Sequence, residues 1–331
     1  MIRVGIIGCG SVASSHANAI NEFSSRASLV GVSDVNPERL KIFAEKYGAR
    51  AYDHAEGLLA QSDIDCVLIS LPHDLHVRMA IEAAKAGKHI LLEKPIALTL
   101  RECDEIMEAV AANNVTLSVG QSYRYFDGPW HVKQILDQKV VGIMVFAIAT
   151  FSKNWNIANR KKWQLDRSRG GGHWISNGVH TVNTLQWLTG SPVVAVKGIS
   201  GQYFHPKDRY PQMRADDATL AMLQHENGVY TIAVVTGYRR GAPKDMLEIT
   251  CNNGKIKCDR KRLWVGVDEQ WKEKSLTSVS DKVREWDAFL TCLETKSDPP
   301  VPGAEARETV RVLLAVEESA KTGREIRLEE R

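Results

Sequence analysis

Two residues of this 331-residue chain stand where a proton or a developing charge could be handled: Lys94, within Glu93-Lys94-Pro95, and His180, within "GGGHWISNGVH". Lys94 follows the apolar run "HILL", and Pro95 restricts it to extended backbone, as at a strand end aimed into a crevice. Histidine as a residue type is suited to act as an acid or base near neutral pH. Helical spacing puts Ser176 four residues before it and Asn183 three after it, with Asn177 in the same turn. Ile175, Val179, Val182, Leu185 and Trp187 give that helix enough apolar surface to be buried. On these residues alone, a core or capping histidine and a catalytic one both remain open.

Elements in the first third of the chain must position Lys94. "RVGIIGCGSVASSHANAI" reads as a strand, a glycine turn and a helix with Val12, Ala13, Ala17 and Ile20 on one side. The spacing Gly8-x-Gly10-x-x-Ala13 is a form of the dinucleotide-binding fingerprint. Gly8 permits the tight turn, Gly10 admits a pyrophosphate, and Ala13 lets helix and strand approach. The helix start at Ser11 and Val12 offers N–H groups to phosphate. A second strand ends at Asp34, placed to bind the ribose hydroxyls and to favour NAD; Arg39 nearby leaves NADP possible. "IDCVLISLP", "HILLEKP" and "VTLSVGQ" are further strands, with helices "HVRMAIEAAKAGK" and "LRECDEIMEAVAANN" between them. This rhythm predicts an α/β Rossmann domain, a doubly wound parallel sheet. Its ligand edge carries Gly8, Gly10, Asp34, Ser70, Leu71, Pro72, His73, Glu93, Lys94, Gln121 and Arg124, with His76 close by. His73 and His76 read as pocket lining, and no metal is expected, because no carboxylate or thiolate completes a site.

The pattern changes after Gln121. One helix, "GPWHVKQILDQKVVG", precedes the strand "IMVFAIATFS" and a long polar loop containing Trp155 and Trp163. After the histidine helix come "VVAVKGISGQ", "DATLAMLQH", "VYTIAVVTGY", "DMLEITCN", "GKIKCD" and "RLWVGV", joined in part by the hairpin signals "HENG" and "CNNG". "KVREWDAFLTCLE" and "AEARETVRVLLAVEESAKTG" are closing helices. Two domains are expected: residues 1–122, a Rossmann domain, and 123–331, an α+β domain with a large, mostly antiparallel open sheet. A net charge of +3 points to neither nucleic acid nor membrane as a partner. The six scattered cysteines fit reduced thiols in a cytoplasmic protein. "MIRVGIIGCGS" reads as a first strand rather than a signal peptide.

The glycine turn, "SDVNPERLKIFAEKYG", "LPHDLHVRMAIEAAKAGKHILLEKPIALT" and "GGG…NGVH", in this order, resemble the Gfo/Idh/MocA oxidoreductases. The resemblance implies that Lys94 contacts substrate and the nicotinamide ribose and takes part in proton transfer, and that His180 is the acid/base. It also implies NAD or NADP as cofactor, and a homodimer or homotetramer built on the open sheet. The expected reaction moves hydride between the nicotinamide and a secondary alcohol or ketone of a sugar, polyol, cyclitol or sugar acid. Lys94 and His180 would work with a substrate wall drawn from Arg124, Trp155, Trp163, Ser176 and Asn177. Lys153, Arg160, Arg239 and Arg240 are further candidates, and their charges favour an anionic substrate. Gly170–Gly172 reads as a close approach to ligand or a flexible helix entry. Other outcomes of the same fold are a glycoside hydrolase working by transient oxidation and elimination, and a catalytically silent NAD(P) sensor. Many members of the family carry aspartates where this chain has Ser176 and Asn183, so a less basic His180, or a proton path that leans more on Lys94, is expected.

Overall fold

Near-continuous apolar strands alternating with amphipathic helices fold into a parallel sheet, because strands buried on both faces need helix cover above and below. The computed structural model describes residues 1–155, 157–238, 245–268 and 270–328; Arg239 and Arg240 lie outside them. The strands are β1 (Ile2–Ile7), β2 (Ala27–Ser33), β3 (Arg50–Tyr52), β4 (Cys66–Ile69), β5 (His89–Glu93) and β6 (Leu117–Gly120). They run parallel in the order β3-β2-β1-β4-β5-β6, the doubly wound arrangement. Helices α1 (Ser11–Asn21), α2 (Pro37–Tyr47), α3 (Ala55–Leu59), α4 (His76–Lys85) and α5 (Leu100–Ala112) connect them. Local chemistry sets their ends. Asn36 caps α2 ahead of Pro37, Gly48 closes it at φ +67°, and Thr99 with Glu102 forms a capping box on α5. Val12, expected on the buried side of α1, is exposed; the buried row is Ala13, His16, Ala17 and Ile20.

The second sheet is built from β7 (Met144–Ser152), β8 (Val193–Gly201), β9 (Ala218–His225), β10 (Tyr230–Thr236), β11 (Asp245–Cys251), β12 (Gly254–Cys258), β13 (Leu263–Val267), β14 (Gln270–Lys274) and β15 (Ile326–Arg327). Their order is β14-β13-β12-β11-β7-β10-β9-β8-β15, and every pairing except β7 with β10 is antiparallel. The expected hairpins join β9 to β10 and β11 to β12. One face takes helix α7 (Val179–Thr189) on β7 and β10, and α6 (Asp127–Asp137) on β12 and β13. Alternation then turns Phe146, Leu220, Met222 and Tyr230 outward on the other face.

The chain divides into two compact units, Met1–Gln121 with Ser280–Arg307, and Ser122–Val279 with Glu308–Arg331. The sequence places everything after residue 122 in one domain, yet helix α8 (Asp281–Thr295) belongs to the first unit. Its Trp286, Phe289 and Leu290 are fully buried in one core with Ala13, Ala17 and Ile20 of α1. Helix α9 (Gly303–Thr322) follows, and from Glu308 onward it belongs to the second unit.

Candidate active site

In the first unit the glycine turn is shaped for a ligand rather than for a side chain. Gly8 adopts φ +96°, and a Cβ there would sit 2.3 Å from the Ser70 carbonyl oxygen, so only glycine fits. A Cβ on Gly10 would meet nothing within 4 Å, which leaves open space beside the start of α1. Gly10 is also the N-cap of α1, and no side chain caps that helix. An uncapped helix start with free space before it suits a pyrophosphate. Asp34 faces the turn: its carboxylate accepts from the Cys9 amide at 2.9 Å, the Asn36 amide at 2.8 Å and Arg39 at 3.0 Å. A cavity of about 330 Å³ beside Arg39 is lined also by Ser14, Asn36, Phe43 and Lys46. Leu71 and Pro72 are half-buried after β4, and His73 is buried in the short turn that follows. Both ring nitrogens of His76 face carbonyls, of Pro95 at 2.8 Å and Leu71 at 3.1 Å. Gln121 ends this row: it is 1% exposed, and its side-chain amide has no hydrogen-bond partner among the described residues. An orphaned amide at a strand end fits a ligand contact, since leaving it unpaired costs about 1–3 kcal/mol.

Lys94 follows β5 directly and is half-buried. Desolvation draws its pKa down to about 8; Glu93 opposes this and Lys282 adds to it. The Lys94–Pro95 peptide is cis. Beneath it lies a buried ionic cluster that local sequence does not announce. Glu93 receives His16 Nε2 at 2.9 Å and the Lys282 ammonium at 3.1 Å, and Lys282 also binds Glu285 at 2.7 Å. The Trp286 indole N–H donates to His16 Nδ1 at 2.9 Å, which assigns the ring proton to Nε2 and hence to the bond with Glu93. Burial foremost holds His16 down to about 4, so this ring is neutral. Lys282 and His16 hold Glu93 well below the usual carboxylate range against the cost of its burial.

In the second unit the histidine helix starts irregularly. Trp174–Gly178 is a π-turn, and α7 begins only at Val179, so His180 lies in the first turn of α7 rather than midway along a longer helix. Only glycine fits at 178 in this turn: a Cβ there would sit 2.3 Å from the Trp174 ring, which packs across the turn and is fully buried. Such turns recur at functional sites. Gly170–Gly172 is not a flexible entry, and protein rather than ligand fills the space beside it. A Cβ would strike the Trp163 carbonyl from Gly170, Ile175 from Gly171 and Asp216 from Gly172, each within 2.5 Å. His180 is 7% exposed, and its ring stacks on Tyr123 with centroids 4.3 Å apart. Ser176 and Asn177 are buried in the π-turn. Asn183 accepts from Arg124 at 2.8 Å and donates to Thr309 at 3.3 Å, so a neutral amide receives a buried guanidinium.

The remaining wall residues scatter. Trp155 is 1% exposed in a small core with Ile157, Leu165 and Met213, and the Arg160 guanidinium lies over its ring at 4.2 Å. It is enclosed rather than offering an open aromatic face, whereas Trp163 is half-buried. A cavity of about 940 Å³ in this unit, lined by Arg167, Gln202, Arg214, Glu317 and Lys321 among others, does not include His180. Sequence reasoning missed His173, Tyr123, Asp245, Arg260, Lys282 and His16. The first of these stood in plain view beside the triple glycine.

A parallel sheet in 3-2-1-4-5-6 order, with an uncapped glycine turn and an acid at the end of β2 facing that turn, defines a dinucleotide-binding fold. Residues 2–121 match the family described as "Oxidoreductase family, NAD-binding Rossmann fold", and residues 130–257 match the "GFO/IDH/MocA C-terminal domain". The chain belongs to the Gfo/Idh/MocA family. A 2,7-anhydro-N-acetylneuraminate hydratase of Escherichia coli K12 is 26% identical over 260 residues, 78% of this chain and 68% of that one. An inositol 2-dehydrogenase of Burkholderia lata is 25% identical over 231 residues, 69% of this chain and 65% of that one. Such matches span between 60% and 68% of the first curated relatives' length. Among solved structures, a levoglucosan dehydrogenase in complex with NADH has the same fold, with TM-score 0.90 and 20% identity over 99% of both chains. Among the described residues no helix is long and apolar enough to cross a membrane.

Proposed function

We propose that the protein is an NAD(P)-dependent dehydrogenase that interconverts a secondary alcohol and a ketone on a sugar, polyol, cyclitol or sugar acid. The observation that carries this reading is Lys94, a half-buried ammonium at the carboxyl end of β5 with its pKa drawn down to about 8. A cation there binds a developing alkoxide more strongly than one in water, and it can also release a proton near neutrality. The first turn of α1 and Asp34 would hold the dinucleotide, and Gln121 would give its amide to it. NAD would supply the acceptor for the hydride of the carbinol carbon. His180 accepts the hydroxyl proton, and Lys94 stabilises the oxygen that remains. Arg124, Lys153 and Arg160 favour substrates carrying a carboxylate or phosphate.

The test is a screen of cyclitols, neutral sugars and sugar acids with NAD and with NADP, following absorbance of the reduced cofactor. Turnover with NAD, greater for acids than for neutral sugars, is expected. Lys94→Ala should lower kcat/KM about 10²-fold or more while NADH still binds; full activity in that variant refutes the site. The same reading includes a homodimer or homotetramer, supported by Phe146 opposite Tyr230 and by Leu220 and Met222 on the outward face of the second sheet. Light scattering that returned the mass of one chain would remove this part.

A further inference from the structure

A ring stacked on an imidazole fixes its plane without supplying a full charge. Tyr123 stacks on His180 in this way. It stands in the short helical turn Ser122–Tyr125, and its ring lies 4.3 Å from that of His180 with an interplanar angle of 25°. A face contact occupies neither ring nitrogen, so both stay in plane for hydrogen bonding and proton transfer.

Tyr123 is itself held from several sides. Its hydroxyl donates to Asp245 Oδ1 at 2.7 Å and accepts from Arg260, and Arg260 Nε donates to Asp245 Oδ2, which closes a ring of three hydrogen bonds. The Arg260 guanidinium lies over the Tyr123 ring at 4.6 Å and over Phe126 at 4.3 Å. Phe126 and Phe151 bracket the tyrosine at 5.1 and 5.8 Å. Burial and Asp245 push the Tyr123 hydroxyl well above its usual range, so it stays protonated. The charges of Asp245 and Arg260 largely cancel within the clamp. Asp245 opens β11, and Asp259 and Arg260 follow β12, so adjacent strands of one sheet fix the clamp.

We propose that Tyr123, clamped by Asp245 and Arg260, is a positioning residue of His180. The inference rests on the reading of His180 as the proton-transfer group.

Two measurements test it on the full-length protein. The first needs no substrate: proton–carbon spectra of histidine-labelled protein, with His180 assigned by the signal lost in His180→Asn. Stacking shifts the His180 ring protons upfield; Tyr123→Phe should retain that shift and Tyr123→Leu should abolish it. The second is a cycle of Tyr123→Leu, His180→Ala and the double variant, assayed with NAD and the best-turned-over compound of the screen above. Tyr123→Leu should lower kcat about a hundredfold with the KM for NAD little changed, and Tyr123→Phe should recover most of that loss. The double variant should be no slower than His180→Ala alone, because Tyr123 acts only through that ring. Losses that multiply in the double variant, or a Tyr123→Leu enzyme with wild-type kcat beside a dead His180→Ala, overturn the clamp and leave the histidine in place. His180→Ala with wild-type rate and pH profile overturns the reading of His180 instead.

Discussion

At Lys94 the proton is loosened by burial, and this gives its electrostatic role a definite pH window. An ammonium with a pKa near 8 is charged below that value and neutral above it. Stabilisation of an alkoxide by Lys94 is therefore complete below about pH 8 and lost as pH rises through it. The expected outcome is a fall in kcat/KM above about pH 8, and a shift of this limb to more alkaline pH in Lys94→Arg, whose guanidinium does not titrate there. An alkaline limb unmoved in that variant would show that another group produces it. The glycine turn, Asp34 and Lys94 were singled out in the sequence by short spacings at strand ends, and His180 by a helical spacing that left its role open until the family resemblance was added. The side chains packed against Glu93 and His180 were not singled out. His16 and Trp286 meet across 270 residues, and Tyr123 meets Arg260 across 137. No period in the sequence connects such pairs; only the folded sheet and helices do.

At the scale of elements, strands and helices with a strong period were legible, and the hairpin turns followed from their Asn-Gly signals. The short strands β3, β14 and β15 passed unnoticed, being brief or polar. The π-turn was illegible because a 3.6-residue period cannot show one inserted residue. At the head of that turn stands His173, fully buried with both ring nitrogens unpartnered among the described residues. Desolvation foremost, with Lys153, Arg160 and His205 adding, holds its pKa down to about 3. The unfolded chain takes up this proton near pH 6.5, whereas the folded chain resists it to about 3. Stability from this residue therefore falls as pH drops through that window. His173→Leu removes both the orphaned nitrogens and the titration. Its Tm should exceed that of the wild type at pH 7, and the gap should widen towards pH 4. A gap that stayed constant with pH would contradict the burial of a neutral ring.

Over the whole molecule, two sheets were legible but a single boundary near residue 122 was not the division the chain adopts. Residues 280–307 return to the first unit, where Val301 accepts from the Val119 amide at 3.0 Å and Arg307 pairs with Asp104 at 2.6 Å. Without them α1 loses the buried partners Trp286, Phe289 and Leu290, each worth about 1.5–3 kcal/mol or more. Glu93 would also lose Lys282. A fragment of residues 1–121 is expected to melt broadly and to bind a hydrophobic dye, and the same fragment linked to 280–307 should melt cooperatively. A fragment 1–121 as stable as the full chain would refute this dependence.

The late return of α8 also orders events on the ribosome. Residues 1–121 are translated before the second unit, but they lack one helix of their own unit until more than 150 further residues have been made. Throughout that interval the nascent chain exposes the apolar side of α1 and leaves the acid before Lys94 without its ammonium partner. The unit that holds residues 1–121 is thus completed only after residues 122–279 have been made.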